Sequence, residues 1–129
     1  MNKKILIVLP LCMITFYGTS KLAAQSPCEV PSRPMPTCQA GRTITINNEA
    51  HTYKPDNLCV TAGDVIRVNV TPSGTATIRS KSGDWPNGSN GSERSFTITA
   101  PPVTAETSYD YNVFFSDGSC KDPRITVKK

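Results

Sequence analysis

Cysteine has the most chemistry to offer in this chain, and four of its five copies sit in the body of the sequence: Cys28, Cys38, Cys59 and Cys120. Thiolates at close paired spacing, as in C-x-x-C, would hold a structural zinc ion. No such pair occurs here. An even number of well-separated cysteines in a small exported chain reads instead as two disulfides. Four cysteines allow three pairings, and the residues alone do not choose among them. His51 is the single histidine. It could be drawn into a hydrolytic triad with a serine and an aspartate, yet no nucleophile motif accompanies it. It reads as a surface histidine near a strand end. Asp110, Asp117 and Asp122 form a loose acidic group. Two of them could approach as catalytic carboxylates do, or hold calcium through oxygen. Their spacing fits no calcium loop, and turn chemistry accounts for them: Asp117-Gly118 suits a tight turn and Asp122-Pro123 leads into a final strand. Trp85, the only tryptophan, is either a cap on one end of the core or a contact for a partner. Phosphate-cradling glycine loops are absent.

These residues need a frame, and the ends of the chain define where it begins. Asn2-Lys3-Lys4 is basic, the stretch from Ile5 to Tyr17 is almost wholly apolar, and Leu22-Ala23-Ala24 supplies small residues before Gln25. This is the layout of a secretory signal cleaved after Ala24. The apolar run is well short of the roughly 20 residues a membrane-spanning helix needs. Cys12 lies inside it behind Leu11, where a lipidation signal would want a small residue. Of 14 basic residues, Lys3, Lys4 and Lys21 leave with the signal and no acid does, so 11 bases face 10 acids. A mature net charge of +1 gives no electrostatic reason to bind nucleic acid. The expected organisation is a signal peptide over 1–24, a proline-rich leader over 25–40 and one domain over 41–129. The expected location is periplasmic or extracellular, with no membrane span after cleavage.

Within the domain, apolar residues recur at every second position. Ile44 and Ile46 begin the pattern, followed by Leu58 and Val60, then Ile66, Val68 and Val70. Ala76 and Ile78, Phe96 and Ile98, Tyr109, Tyr111 and Val113, and finally Ile125 and Val127 continue it. Period two with β-branched enrichment predicts strands with one buried face. Turn formers separate the runs, among them Ala62-Gly63-Asp64, Pro72-Ser73-Gly74, Pro101-Pro102 and Asp117-Gly118. No helical stripe appears. The fold class is all-β, a sandwich of seven or eight short strands. Residues 80–93 are rich in Gly, Ser and Asn and are expected to form a mobile loop. Asn69-Val70-Thr71, Asn87-Gly88-Ser89 and Asn90-Gly91-Ser92 match the glycosylation acceptor pattern.

Two segments resemble the cupredoxins, the family of blue-copper Greek-key β-sandwiches. Residues 53–70, with Pro55, Leu58, Val60, Ala62-Gly63-Asp64, Ile66, Val68 and Val70, are similar to the family's P-x-x-L-x-V-x-A-G-D-x-V-x-V-x-N hairpin. Tyr109-Asp110-Tyr111-Asn112-Val113 and Asp122-Pro123-Arg124-Ile125-Thr126-Val127 resemble its last two strands. The likeness runs over residues 43–128. The family's ligand cysteine falls at Val113 and its first ligand histidine at Thr75, and no second histidine or methionine stands between Phe114 and Arg124. A blue-copper site needs two imidazoles and a thiolate. The resemblance therefore implies the fold without the copper ligands, and no cofactor is expected. Cys28 and Cys38 are near in sequence, so a bridge between them would close the leader locally at little loop-closure cost. The resemblance implies Cys59 with Cys120, which would join two strands that run side by side in this sandwich; the crossed pairings would instead lash the leader onto the sandwich as an extra strand.

Two function classes follow, with a third behind them. The first is an exported, non-catalytic binding or structural module whose end loops, including Trp85, contact an unidentified protein or envelope partner. The alternative is a small metal-handling or electron-transfer protein using a thiol, or His51 and Met35. A secreted inhibitor is the third, since small disulfide-stapled exported domains often serve as one.

Overall fold

Strict alternation leaves one apolar face on each strand, and two such faces pressed together exclude water from both. The computed structural model describes Cys28 and residues 34–129. The signal peptide expected over 1–24 and half of the leader lie outside the described residues. The chain runs through β1 (Gln39–Ala40), β2 (Thr43–Asn47), β3 (Thr52–Lys54), β4 (Asn57–Thr61), β5 (Val65–Thr71) and β6 (Thr77–Ser80). It continues through β7 (Asn87–Ser89), β8 (Ser95–Thr99), β9 (Thr107–Phe114), β10 (Cys120–Lys121) and β11 (Arg124–Lys128). Seven of these strands hold four residues or more, and the described residues contain no helix. One sheet has the order β1-β4-β11-β9-β6-β7 with β10 paired to β9; the other has the order β3-β2-β5-β8. The chain changes sheets at the turn between β4 and β5, where Gly63 takes φ +85. A side chain would be strained there, which is why glycine occupies it. Asp64 completes the turn by accepting the Thr61 N–H at 2.9 Å.

The inward residues are those the period-two pattern marks. Ile44, Ile46, Ile66, Val68, Ile78, Val113, Ile125 and Val127 are wholly buried, as is Tyr111. Each aliphatic side chain so placed contributes about 1.5–3 kcal/mol relative to exposure. Trp85, Phe96 and Tyr109 pack against this core while remaining half-buried. The sheets meet along a seam where β7 lies beside β8. A Cβ on Gly88 would sit 2.7 Å from the Phe96 ring, so the close approach depends on glycine. Tyr111 carries the one hydroxyl of the core, and it has no hydrogen-bond partner among the described residues. Burial, with a smaller contribution from Tyr53, pushes its ionisation far above the ordinary phenol range.

Two expectations are corrected. Residues 80–93 are not an unstructured loop. Asn87–Ser89 pair antiparallel with β6, Pro86 is fully buried, and the Asn87 carboxamide ties residues 80, 83 and 84 together. Low-complexity composition hid a strand built of Asn, Gly and Ser. The disulfides are Cys28 with Cys120 and Cys38 with Cys59, not the local pairing. The expected neighbours are indeed side by side, since β4 and β11 are parallel and Thr126 faces Cys59. Cys120, however, precedes β11 and folds back onto Phe114 of β9. On its other side Cys59 faces the leader, where Ala40 of β1 is its register partner and Cys38 lies two residues earlier. The leader is thus an extra parallel strand. Asn57 holds it as well, donating to Pro36 O at 3.1 Å while accepting from Thr126 Oγ1 at 2.9 Å.

Non-reducing peptide mapping is expected to recover a fragment joining Cys28 to Cys120 and another joining Cys38 to Cys59. In the chain-entropy account the 92-residue separation of the first bridge contributes about 4–5 kcal/mol and the 21-residue separation of the second about 3 kcal/mol. Replacing Cys28 and Cys120 together by serine is therefore expected to lower the denaturation midpoint more than replacing Cys38 and Cys59. Tyr111→Phe removes an unpaired buried hydroxyl, so urea unfolding is expected to show unchanged or increased stability, by up to about 1 kcal/mol.

Candidate functional site

The end of the sandwich where the resemblance places a metal is organised by side-chain amides. Val113 lies wholly buried opposite Ile78 of β6. Thr75, just before β6, donates its hydroxyl to Gly91 O at 2.8 Å. Around them, Asn48 and Asn90 are 6% and 4% exposed. Asn48 follows the last residue of β2. Its Nδ2 donates to Ser73 O at 3.0 Å and Thr75 O at 3.4 Å, and its Oδ1 accepts the Ser116 N–H at 2.8 Å. Three segments far apart in sequence are joined by one carboxamide. Asn90 does the same on the opposite flank. Its Oδ1 accepts the Ala76 N–H at 2.7 Å, and its Nδ2 donates to Gly74 O at 2.9 Å and Glu93 O at 2.6 Å. A carboxamide suits this task because it offers donors and an acceptor from one rigid plane. Gly74 takes φ +88, and a Cβ there would overlap Asn48 Nδ2, so this loop admits only glycine.

His51 and Asp117 occupy the rim. His51 has φ 53, its ring lies 5.1 Å from that of Phe115, and its Nε2 sits 3.1 Å from Asp117 Oδ2. Asp117 also accepts from the Ser119 hydroxyl at 2.6 Å and the Ser119 N–H at 3.0 Å. Chiefly the Ser119 hydroxyl, and to a lesser extent His51, hold this carboxyl below the usual carboxylate range. Its stabilising contribution is present above that range and fades as pH falls through the lowered value. Gly118 takes φ +85 and donates to Phe115 O, giving the tight turn expected from Asp117-Gly118.

The three aspartates have different partners. Asp110 pairs with Arg124 at 2.6 Å, Asp122 with Lys81 at 2.6 Å, and Asp117 with His51. Trp85 is brought edge-on to Tyr109, with ring centroids 5.1 Å apart and planes at 81°. The Lys81 N–H donates to Asp110 O, next in sequence to Tyr109. Arg79 lies 5.8 Å over the Phe114 ring. Cys28, Cys38, Cys59 and Cys120 are all in disulfides.

Sequence reasoning missed both asparagines as structural centres. Asn90 was visible only as the head of an acceptor triplet. Its position after Ser89 and before a positive-φ Gly91 is the signal that could have found it. Asn48 carries no local signal, because its partners are 25, 27 and 68 residues away.

The residues here do not fit a blue-copper ion. The site would need two imidazoles and a thiolate. The chain has one histidine, an aliphatic side chain at Val113 and a hydroxyl at Thr75. Among the described residues no three His, Cys, Asp or Glu side chains group in a way that could hold a metal.

No protein-family model matches the chain, and no curated protein matches it. Solved structures do. The chain is similar to a purple cupredoxin from Nitrosopumilus maritimus at 21% identity and a TM-score of 0.52, over 68% of this chain and 100% of that one. Fainter likenesses, too low to add to the argument, run to a mutant fern plastocyanin at 17% identity (67% of this chain, 99% of that one; TM-score 0.46) and to an amicyanin variant at 14% (70% and 86%; TM-score 0.47). The first likeness shows the fold: this chain is a cupredoxin-like β-sandwich.

Asn48→Ala strands three backbone groups at a buried end. Urea unfolding is expected to report a loss of about 2–4 kcal/mol, since each unsatisfied buried group costs about 1–3 kcal/mol. Asn90 Nδ2 is buried and doubly bonded, so expression in a glycosylating host is expected to place no sugar there. Mass spectrometry of the peptide containing residues 87–93 checks this.

Proposed function

We propose that this chain is an exported, non-catalytic binding module built on a cupredoxin-like sandwich and acting through the surface around Trp85. The observation that carries the reading is the rebuilt end. Where the fold's metal ligands would stand, Asn48 and Asn90 use their amides to tie loops together, and the rim histidine is engaged by a carboxylate. The end is spent on structural hydrogen bonds. Two disulfides support an oxidising compartment outside the cytoplasm. No described helix is long and apolar enough to cross a membrane. The engagement of Asp110 by Arg124, Asp122 by Lys81 and Asp117 by His51 favours a binding role over acid–base catalysis. The half-buried Trp85–Tyr109 pair offers a partner a rigid aromatic surface, and Trp and Tyr are the residue types in which binding hot spots concentrate.

Copper(II) added to the disulfide-intact mature protein is expected to give no intense blue thiolate band; its appearance would return the protein to electron transfer. Saturable binding of purified protein to the envelope fraction of its own host is expected, with Trp85→Ala weakening it about tenfold or more at unchanged fold. Binding that is saturable yet indifferent to Trp85→Ala and Tyr109→Ala would move the contact surface elsewhere.

A further inference from the structure

The two disulfides do different jobs, and one is placed to be opened. β1 consists of two residues and pairs on one side only, matching Gln39 to Leu58 and Ala40 to Cys59. Beyond it the Gly41 N–H reaches Cys59 O at 3.3 Å, a long bond. A strand this short contributes little of its own, so its attachment rests mainly on Cys38 with Cys59, beside the single Asn57 bond to Pro36 O. Like Cys28 and Cys120, Cys38 and Cys59 are half-buried. They line a depression of about 420 Å³ at the surface, shared with Arg42, Thr61, Asp64 and Lys128. Arg42 and Asp64 pair with one another at 3.3 Å, and Lys128 is a further cationic residue of the lining. A cation beside a disulfide favours an approaching thiolate. The leader has a second, independent tether, since Cys28 is bonded to Cys120 on the β9–β10 hairpin.

We infer that Cys38–Cys59 is a thiol-exchange site for a dithiol partner, and that its reduction unlatches β1 from the edge of β4 while Cys28–Cys120 keeps the leader attached. A partner thiolate attacks one sulfur of the bridge and forms a mixed disulfide, expelling the other cysteine as a thiolate that takes up a proton. The partner's second thiol then displaces the remaining cysteine and closes the partner's own disulfide. Two electrons pass from the dithiol to the bridge, and the reverse sequence closes the latch. Opening uncovers β4 beside Leu58 and Cys59, an unpaired parallel edge of the kind that accepts another strand. The core does not depend on β1, because Gln39 and Ala40 are both exposed and the buried apolar residues all come later in the chain.

The test treats the mature, disulfide-intact protein with dithiothreitol over time, followed by alkylation and peptide mass analysis. Cys38 and Cys59 are expected to become labelled at least tenfold faster than Cys28 and Cys120. At that stage the near-ultraviolet signal of the Trp85–Tyr109 pair should persist, and amide exchange at Gly41 should rise at least tenfold while β5 and β9 stay protected. Equal labelling rates, or earlier labelling of Cys28 and Cys120, would overturn the proposal. So would selective opening that leaves Gly41 exchange unchanged or that unfolds the whole domain. The Cys38→Ser, Cys59→Ser double variant reads the open state without reductant. It is expected to fold and to show the same fast exchange at residues 39–41; a variant that fails to fold, or that keeps those amides protected, refutes the latch.

Discussion

The constraint on which everything else rests is the exclusion of water between two sheets whose strands are each apolar on one side. Ile44 and Ile46 of β2, Ile66 and Val68 of β5, Ile78 of β6, Val113 of β9, and Ile125 and Val127 of β11 have no alternative place to go. A slip of one residue in any of these strands would turn its apolar set to solvent. Register, sheet order and the position of every loop follow from holding these side chains together. The turn at Gly63 and the seam at Gly88 are where that packing demands a residue without a side chain.

A sandwich has two ends, and its ends must satisfy backbone groups that no ladder reaches. In this chain the end nearest Thr75 and Val113 meets that demand with Asn48 and Asn90. Six hydrogen bonds from two carboxamides join the loops after β2, before β6, after β7 and after β9. An imidazole and thiolate cluster on the same framework would organise these loops around an ion. Amides organise them around each other, with no ion required. The rim residues His51, Asp117 and Ser119 extend that arrangement outward.

The leader shows how a segment with no core of its own can still be structural. Proline-rich and without alternation, residues 34–40 bury little, yet Asn57, β1 and two disulfides attach them to the larger sheet. Cross-links replace the burial that the segment lacks. Covering β4 in this way also removes part of an otherwise open parallel edge.

The linear order of residues determined the all-β class, the inward face of nearly every strand and the turns at Gly63 and Gly118, because alternation and turn chemistry are local properties. It also determined that Val113 and Thr75 could not serve as copper ligands, since that is a matter of residue type alone. Tertiary structure decided what depends on contacts across long separations. Cys59 stands between β11 and β1, and only the placement of the leader beside β4 says which neighbour holds its partner. Asn87–Ser89 became a strand because β6 offered it a ladder and Phe96 left room for Gly88, although Asn, Gly and Ser have little strand preference of their own. Asn48 gained its role from groups 25, 27 and 68 residues away, a relation that exists only once the sheets have closed.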